Sequence, residues 1–212
     1  QEWKHNKLNN NMSKIGNRFL THANANIALS SEEKDEIIKN ATVKYGEFMD
    51  ALKIDWRNDP NSTNTPNRVA KSFVNDLMSG CYAEPPSTTS FPGNGYTGIV
   101  FEGNIPLTSM CAHHHLAFTG VVHVAYIPNK FVAGLSKLNR IVDYYGKRPN
   151  IQEELTMQIH NAINTMCKGN KGVAVSVSAA HTCVSCRGVR HQGCSMKTSK
   201  LSGDFMKDDA TR

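Results

Sequence analysis

The chain begins without periodicity and then turns helical. Residues 1–29 are polar and rich in Asn, and they read as a flexible N-terminal arm. Ser30 and Glu33 form a capping-box pattern, in which a hydroxyl and a carboxylate satisfy amides left open at a helix start. Ile37, Ile38, Ala41, Tyr45, Phe48 and Leu52 follow at helical spacing. A polar loop from Asp55 to Asn64 comes next. Thr65-Pro66 predicts a second helix, with Thr65 as cap, Pro66 in the first helical position and Gly80 as the stop. Its apolar face is Val69, Ala70, Phe73, Val74 and Leu77. Residues 30–82 thus predict a helical hairpin.

Residues 83–96 carry three Pro and two Gly and predict a loop. The period then shortens to two. Tyr96–Glu102 and Phe118–Ile127 predict strands, the second with Val122, Val124 and Tyr126 alternating against Val121, His123 and Ala125. Ser136 to Tyr145 and Ile151 to Cys167 return to helical spacing. Gly172 to Ala180 alternates cleanly, and Cys194 to Phe205 predicts a last strand. Helices followed by strands, helices and strands again describe an α+β domain with an antiparallel sheet, its core spanning 96–205.

Composition narrows the class. At 212 residues, the chain is long enough for one domain with a real core. Mean hydropathy is −0.44, and no apolar run approaches the roughly 20 residues of a membrane helix. The N-terminal stretch has no short apolar core of the secretory kind, so a cytoplasmic protein without a membrane partner is expected. The net charge of +6 suits an anionic ligand such as a phosphate ester. Nucleic acid is not expected, because no Lys/Arg block is interleaved with aromatics. The six cysteines read as free thiols and metal ligands rather than disulfides.

The chemistry concentrates in two segments. Cys111-Ala112-His113-His114-His115 is answered by His181-Thr182-Cys183. Thiolates and imidazoles are zinc's preferred ligands, and a catalytic zinc uses three protein groups with one position open. Cys111 and His114 require a turn to converge on one ion. If strand spacing continues past Ala180, His181 and Cys183 share a face about 6 Å apart. Cys183-x-x-Cys186 keeps a four-ligand structural zinc as a competing reading. Cations flank these segments: Arg68, Lys71, Lys137, Arg140, Arg187, Arg190 and Lys197. They suit a polyphosphate, and Ser136 lies at a helix start where backbone amides also favour an anion. Gln152-Glu153-Glu154 reads either as favourable charge in a first helical turn or as the source of a carboxylate for a paired ring N–H and exocyclic amine, which guanine presents.

The blocks Ser109-x-Cys111-x-His113-His114, Pro128-Asn129-Lys130, Gly134-Leu135-Ser136-Lys137-Leu138-x-Arg140-Ile141-Val142, Gln152-Glu153-x-Leu155-Thr156 and His181-x-Cys183-x-x-x-Arg187-Gly188-Val189 resemble GTP cyclohydrolase I in order and spacing. Thr65-Pro66-x-Arg68-Val69-Ala70-Lys71 matches that family's N-terminal helix motif, and the resemblance runs from about residue 30 to 205. It implies zinc held by Cys111, His114 and Cys183, with His113 and His181 moving protons and Ser136 assisting at the ribose. It further implies Glu153 on guanine, and Arg68, Lys71, Lys137, Arg140 and Arg187 on the triphosphate. The implied reaction opens the purine at C8, releases formate and rearranges the ribose to give 7,8-dihydroneopterin triphosphate. The implied fold is the tunnelling fold, a barrel closed by several subunits, usually a decamer of two pentamers, with Arg68 and Lys71 available to a neighbour's site. Ala112, His115, Ala117 and Glu154 depart from the family pattern. Two alternatives stay open: a related reductase using a Cys nucleophile and a nicotinamide, and a binding module around a structural zinc.

Overall fold

The computed structural model describes residues 15–16 and 18–207. The expected arm therefore lies partly outside the described residues. Its remainder, residues 18–29, runs back along the helical region: Ile27 N donates to Cys81 O at 2.8 Å and Leu29 N to Tyr82 O at 3.1 Å. Leu20, Ile27 and Leu29 pack on the cluster of Ile38, Ala70, Val74, Cys81 and Tyr82.

Helix α1 spans Ser31–Ala51 and starts on the capping box, with Ser30 and Glu33 each bonded to the other's backbone. Helix α2 spans Thr65–Ser72 and packs on α1. Its cap is Asn64, which makes no side-chain capping bond; Thr65 already lies inside the helix. The expected continuous helix to Gly80 is broken. A π-helical turn occupies Phe73–Leu77, and α3 covers Ser79–Tyr82. Gly80 is there for close packing instead of termination: a Cβ on it would stand 2.0 Å from Tyr144 O.

The sheet is built from β2 (Val100–Cys111), β3 (Ala117–Ile127), β5 (Pro149–Asn150), β6 (Gly172–His181) and β7 (Met196–Leu201), in the order β5-β2-β3-β6-β7. All pairings are antiparallel except β2 with β5. A separate small pair joins β1 (Ser90–Pro92), inside the expected loop, to β4 (Phe131–Ala133). The first long strand starts later than its pattern suggested and runs nine residues further, to Cys111. A register shift between Glu102 and Ile105, with Asn104 at φ 58°, breaks the alternation there and hides the continuation. At the other end, β7 is shorter than expected, and Asp204–Lys207 forms α7.

Helices α4 (Leu135–Gly146) and α5 (Gln152–Met166) cover one face of the sheet. Leu138, Ile141, Val142, Leu155, Ile159 and Ile163 meet Leu107, Phe118, Val122, Val124, Val175 and Val177 in one core. Period two on the strands and 3.6 on the helices place these side chains on facing surfaces. The opposite face, with Val121, His123, Ser176 and Ser178, is only half buried. This is a mixed α+β domain. Among the described residues no helix is long and apolar enough to cross a membrane.

The β3–β6 pairing is tight at Gly120. A Cβ there would meet Ser178 O at 1.9 Å, and that carbonyl belongs to the strand backbone. Gly120→Ala should therefore destabilise the domain by roughly 1–3 kcal/mol through forced separation of the strands. A urea or thermal unfolding midpoint equal to wild type would contradict this.

Candidate metal centre

Three segments end at the same corner of the sheet. Strand β2 finishes at Cys111, whose register partner is Asn150 on β5. Strand β3 begins opposite the end of β6, pairing Phe118 with His181. Between β2 and β3 the chain turns tightly. His115 N donates to Cys111 O at 2.9 Å, Cys111 N donates to Leu116 O at 2.8 Å, and Ala112 N donates to Asn150 O at 3.0 Å. That turn supplies the convergence the histidine run needs. Cys111 Sγ lies 3.8 Å from His113 Nδ1 and 3.9 Å from His114 Nδ1.

The strand β6 stops at His181, so His181 and Cys183 do not share a strand face as spacing alone suggested. Thr182–Ser185 forms a helical turn, α6. Thr182 Oγ1 donates to Ala117 O at 2.6 Å and Cys186 N to Thr182 O at 2.8 Å, which curls the chain toward β3. This curl carries Cys183 to Cys111. The donor atoms of Cys111, His114 and Cys183 all lie within 4.8 Å of one another. Ligands about 2.3 Å from a tetrahedral ion stand about 3.8 Å apart, so the two thiols and one imidazole fit a zinc-type ion and leave a fourth corner open. Burial and the neighbouring Cys111 sulfur push the Cys183 thiol up, while the Arg187 guanidinium opposes them. A cation between the sulfurs would reverse that balance.

The remaining cysteines divide by burial. Cys81 and Cys167 are buried, which pushes each thiol to about 11 and keeps it protonated. Cys186 and Cys194 are exposed. Cys186 stands outside the three-residue group, as does His115, whose ring centroid lies 6.0 Å from that of Phe73 on the π-helical turn.

His181 is held on two sides. Its ring stacks on the buried Phe118 with centroids 4.4 Å apart and planes 11° from parallel. Its Nε2 lies 2.8 Å from Gln152 Oε1. Gln152 is buried, and its Nε2 faces Val177 O, Met196 O and Thr198 Oγ1, so its oxygen accepts. His181 therefore carries a proton on Nε2 and presents Nδ1 as its second site. Burial lowers its pKa and the Glu153 carboxylate partly restores it. Sequence reading passed over Gln152 for its neighbour, because a Gln in a first helical turn gives no local sign of burial.

Glu153 is exposed on the first turn of α5. Ser136, Lys137 and Arg140 lie on α4, where Lys137 Nζ donates to Ser87 Oγ at 3.1 Å. Arg68 and Lys71 are exposed on α2. The chain thus gathers Cys111, His114 and Cys183 with His113, His181 and Arg187 nearby. Among the described residues no hydrogen bond or ion pair ties Arg68, Lys71, Lys137 or Arg140 to that group.

Residues 41–212 match the family described as GTP cyclohydrolase I. The GTP cyclohydrolase 1 of Pasteurella multocida is 36% identical over 211 residues, which covers 98% of this chain and 95% of that protein. That of Aeromonas hydrophila is 39% identical over 187 residues, covering 87% and 84%. That of Flavobacterium johnsoniae is 41% identical over 186 residues, covering 87% and 81%.

Two outcomes are expected. Elemental analysis should find one divalent ion per chain, lost in Cys111→Ala and Cys183→Ala and retained in His115→Ala and Cys186→Ala. Retention in the first pair would exclude this centre. In an NMR titration, Glu153→Gln should lower the His181 pKa further, since it removes the charge that opposes burial; an upward shift would reverse the assigned cause.

Proposed function

Because the chain belongs to the GTP cyclohydrolase I family, we propose that it is a GTP cyclohydrolase I, converting GTP and water to 7,8-dihydroneopterin triphosphate and formate. The observation that carries this reading is the convergence of Cys111, His114 and Cys183 in a chain of that family. The donor set fits zinc, which when bound would supply Lewis-acid activation of water near neutral pH.

The protein's own groups do the rest. Glu153 accepts two hydrogen bonds from the guanine edge and sets which ring carbon faces the centre. His181, with Nε2 tied to Gln152, passes a proton through Nδ1 to the opening purine ring. His113 lies 3.8 Å from the Cys111 sulfur, close enough to move a proton in the later steps. Ser136 assists at the ribose. Arg68, Lys71, Lys137, Arg140 and Arg187 hold the triphosphate, the Arg side chains in bidentate fashion and the Lys as point charges.

Several features favour the tunnelling-fold barrel and the decamer of two pentamers. Among the described residues strand β7 is an open edge, and β5 covers only Met110 and Cys111 of β2, so both sheet edges can pair with neighbouring copies. The half-buried face opposite α4 and α5 suits a barrel interior. Arg68 and Lys71, unattached to their own chain's centre, suit a neighbour's site. The cell compartment consistent with this reaction is the cytoplasm.

Formate and pterin fluorescence should both appear when the protein is given GTP, and both should vanish on chelation. Glu153→Ala should raise KM for GTP by roughly 100-fold or more while the metal stays bound. Turnover of GTP at the wild-type KM in that variant would sink the guanine assignment. A metal-loaded wild-type protein yielding neither product would sink the activity itself.

A further inference from the structure

The first turn of α5 holds two successive carboxylates, Glu153 and Glu154, and its cap residue Ile151 contributes no side-chain bond. Glu154 is engaged from far away in sequence. Asn24 Nδ2 donates to Glu154 Oε2 at 2.9 Å, across 130 residues. Asn24 is only 4% exposed, unusual for an amide on a segment outside regular structure.

Its backbone is engaged as well. Arg148 Nη1 donates to Asn24 O at 2.9 Å, and the guanidinium lies 4.3 Å and 4.8 Å from the ring centroids of Tyr144 and Tyr145. Arg148 O in turn accepts from Ser109 Oγ and Asn150 Nδ2. Asn150 O accepts from Ala112 N in the metal turn. Asn24 therefore touches both ends of the short connection from Arg148 to Glu154, which carries Asn150 toward the metal turn and Glu153 toward the substrate.

The segment bearing Asn24 is itself anchored. Asn26 Nδ2 faces Gly80 O, Cys81 O and Ala83 O at 2.8–3.0 Å, and Ala25 N donates to His22 O at 3.0 Å. A fixed donor can aim a helical turn; a loose one cannot.

We propose that Asn24 is a positioning residue for substrate recognition: by holding Glu154 it steadies, together with Gln152, the first turn of α5 and so aims Glu153. The segment before α1 is then part of the active site's support. This rests on Glu153 being the purine-binding carboxylate. Successive helical residues project about 100° apart, so pinning one carboxylate orients the other. Without its donor, the exposed Glu154 carboxylate moves freely in water, and the first turn of α5 loses one of the contacts that aim Glu153.

The test exchanges donor and acceptor in the full-length, metal-loaded protein. Asn24→Asp sets one carboxylate against another. Adding Glu154→Gln restores a single bond in the reverse direction. Steady-state kinetics with GTP should show KM raised roughly tenfold in Asn24→Asp, kcat and metal content little changed, and KM back within about twofold of wild type in the double variant. A purely structural role would lower stability without this KM change and its rescue. A wild-type KM in Asn24→Asp, or no recovery in the double variant, would overturn the proposal. Glu153→Ala measured alongside separates the two readings. High KM there with normal KM in Asn24→Asp defeats only the positioning role, whereas normal KM in Glu153→Ala defeats the purine assignment on which it rests.

Discussion

The parallel pairing of β5 with the end of β2 is the constraint on which the corner of the molecule depends. Only two residues make it, Pro149 and Asn150. Asn150 is buried, and its amide nitrogen faces Ser109 Oγ, Tyr145 O and Arg148 O at 2.8–3.0 Å. One side chain thereby joins the end of β2, the end of α4 and the approach to α5. Its own backbone oxygen then holds the turn after Cys111. A buried amide that lost these partners would carry a desolvation cost of about 1–3 kcal/mol, so the geometry is strongly preferred over any in which the three elements drift apart.

Gln152 repeats the device two residues later. It ties α5 to Val177 and Met196 on β6 and β7 while its oxygen orients His181. Around the Cys111, His114 and Cys183 group, therefore, precision among the described residues comes from neutral amides and backbone carbonyls rather than from ion pairs. Such bonds do not weaken with salt and add no charge beside a site that gathers thiols and is proposed to take a polyanion. The apolar core behind them, from Leu138 to Val177, supplies cohesion but little direction, because hydrophobic contact is not directional.

Much of the fold was legible. The capping box at Ser30, the periodicity of the two helices that cover the sheet and the alternation of β3 and β6 are local patterns, and local patterns survive folding. The errors fell where local signals conflict with packing. Asn104 interrupts β2 with a left-handed residue, so alternation alone ends the strand too early. The helix after Thr65 breaks into a π-helical turn before Gly80, and Gly80 serves contact with the end of α4. The stretch after residue 18, polar enough to read as an arm, packs through a few apolar residues and through backbone and Asn side-chain bonds that composition cannot register.

By itself the sequence determined the candidate ligand types and their order, because thiol and imidazole chemistry belongs to single residues. The three residues that the fold gathers, Cys111, His114 and Cys183, are the three that the resemblance to GTP cyclohydrolase I implies as ligands. Only the tertiary structure decided how they meet: β6 had to end at His181 and α6 had to curl, and that depends on Thr182 reaching Ala117, 65 residues away. The same holds for Gln152 and Asn24. Each is an ordinary polar residue in a polar stretch, and each acquires a role only when its partner arrives from a distant part of the chain, which no local pattern encodes.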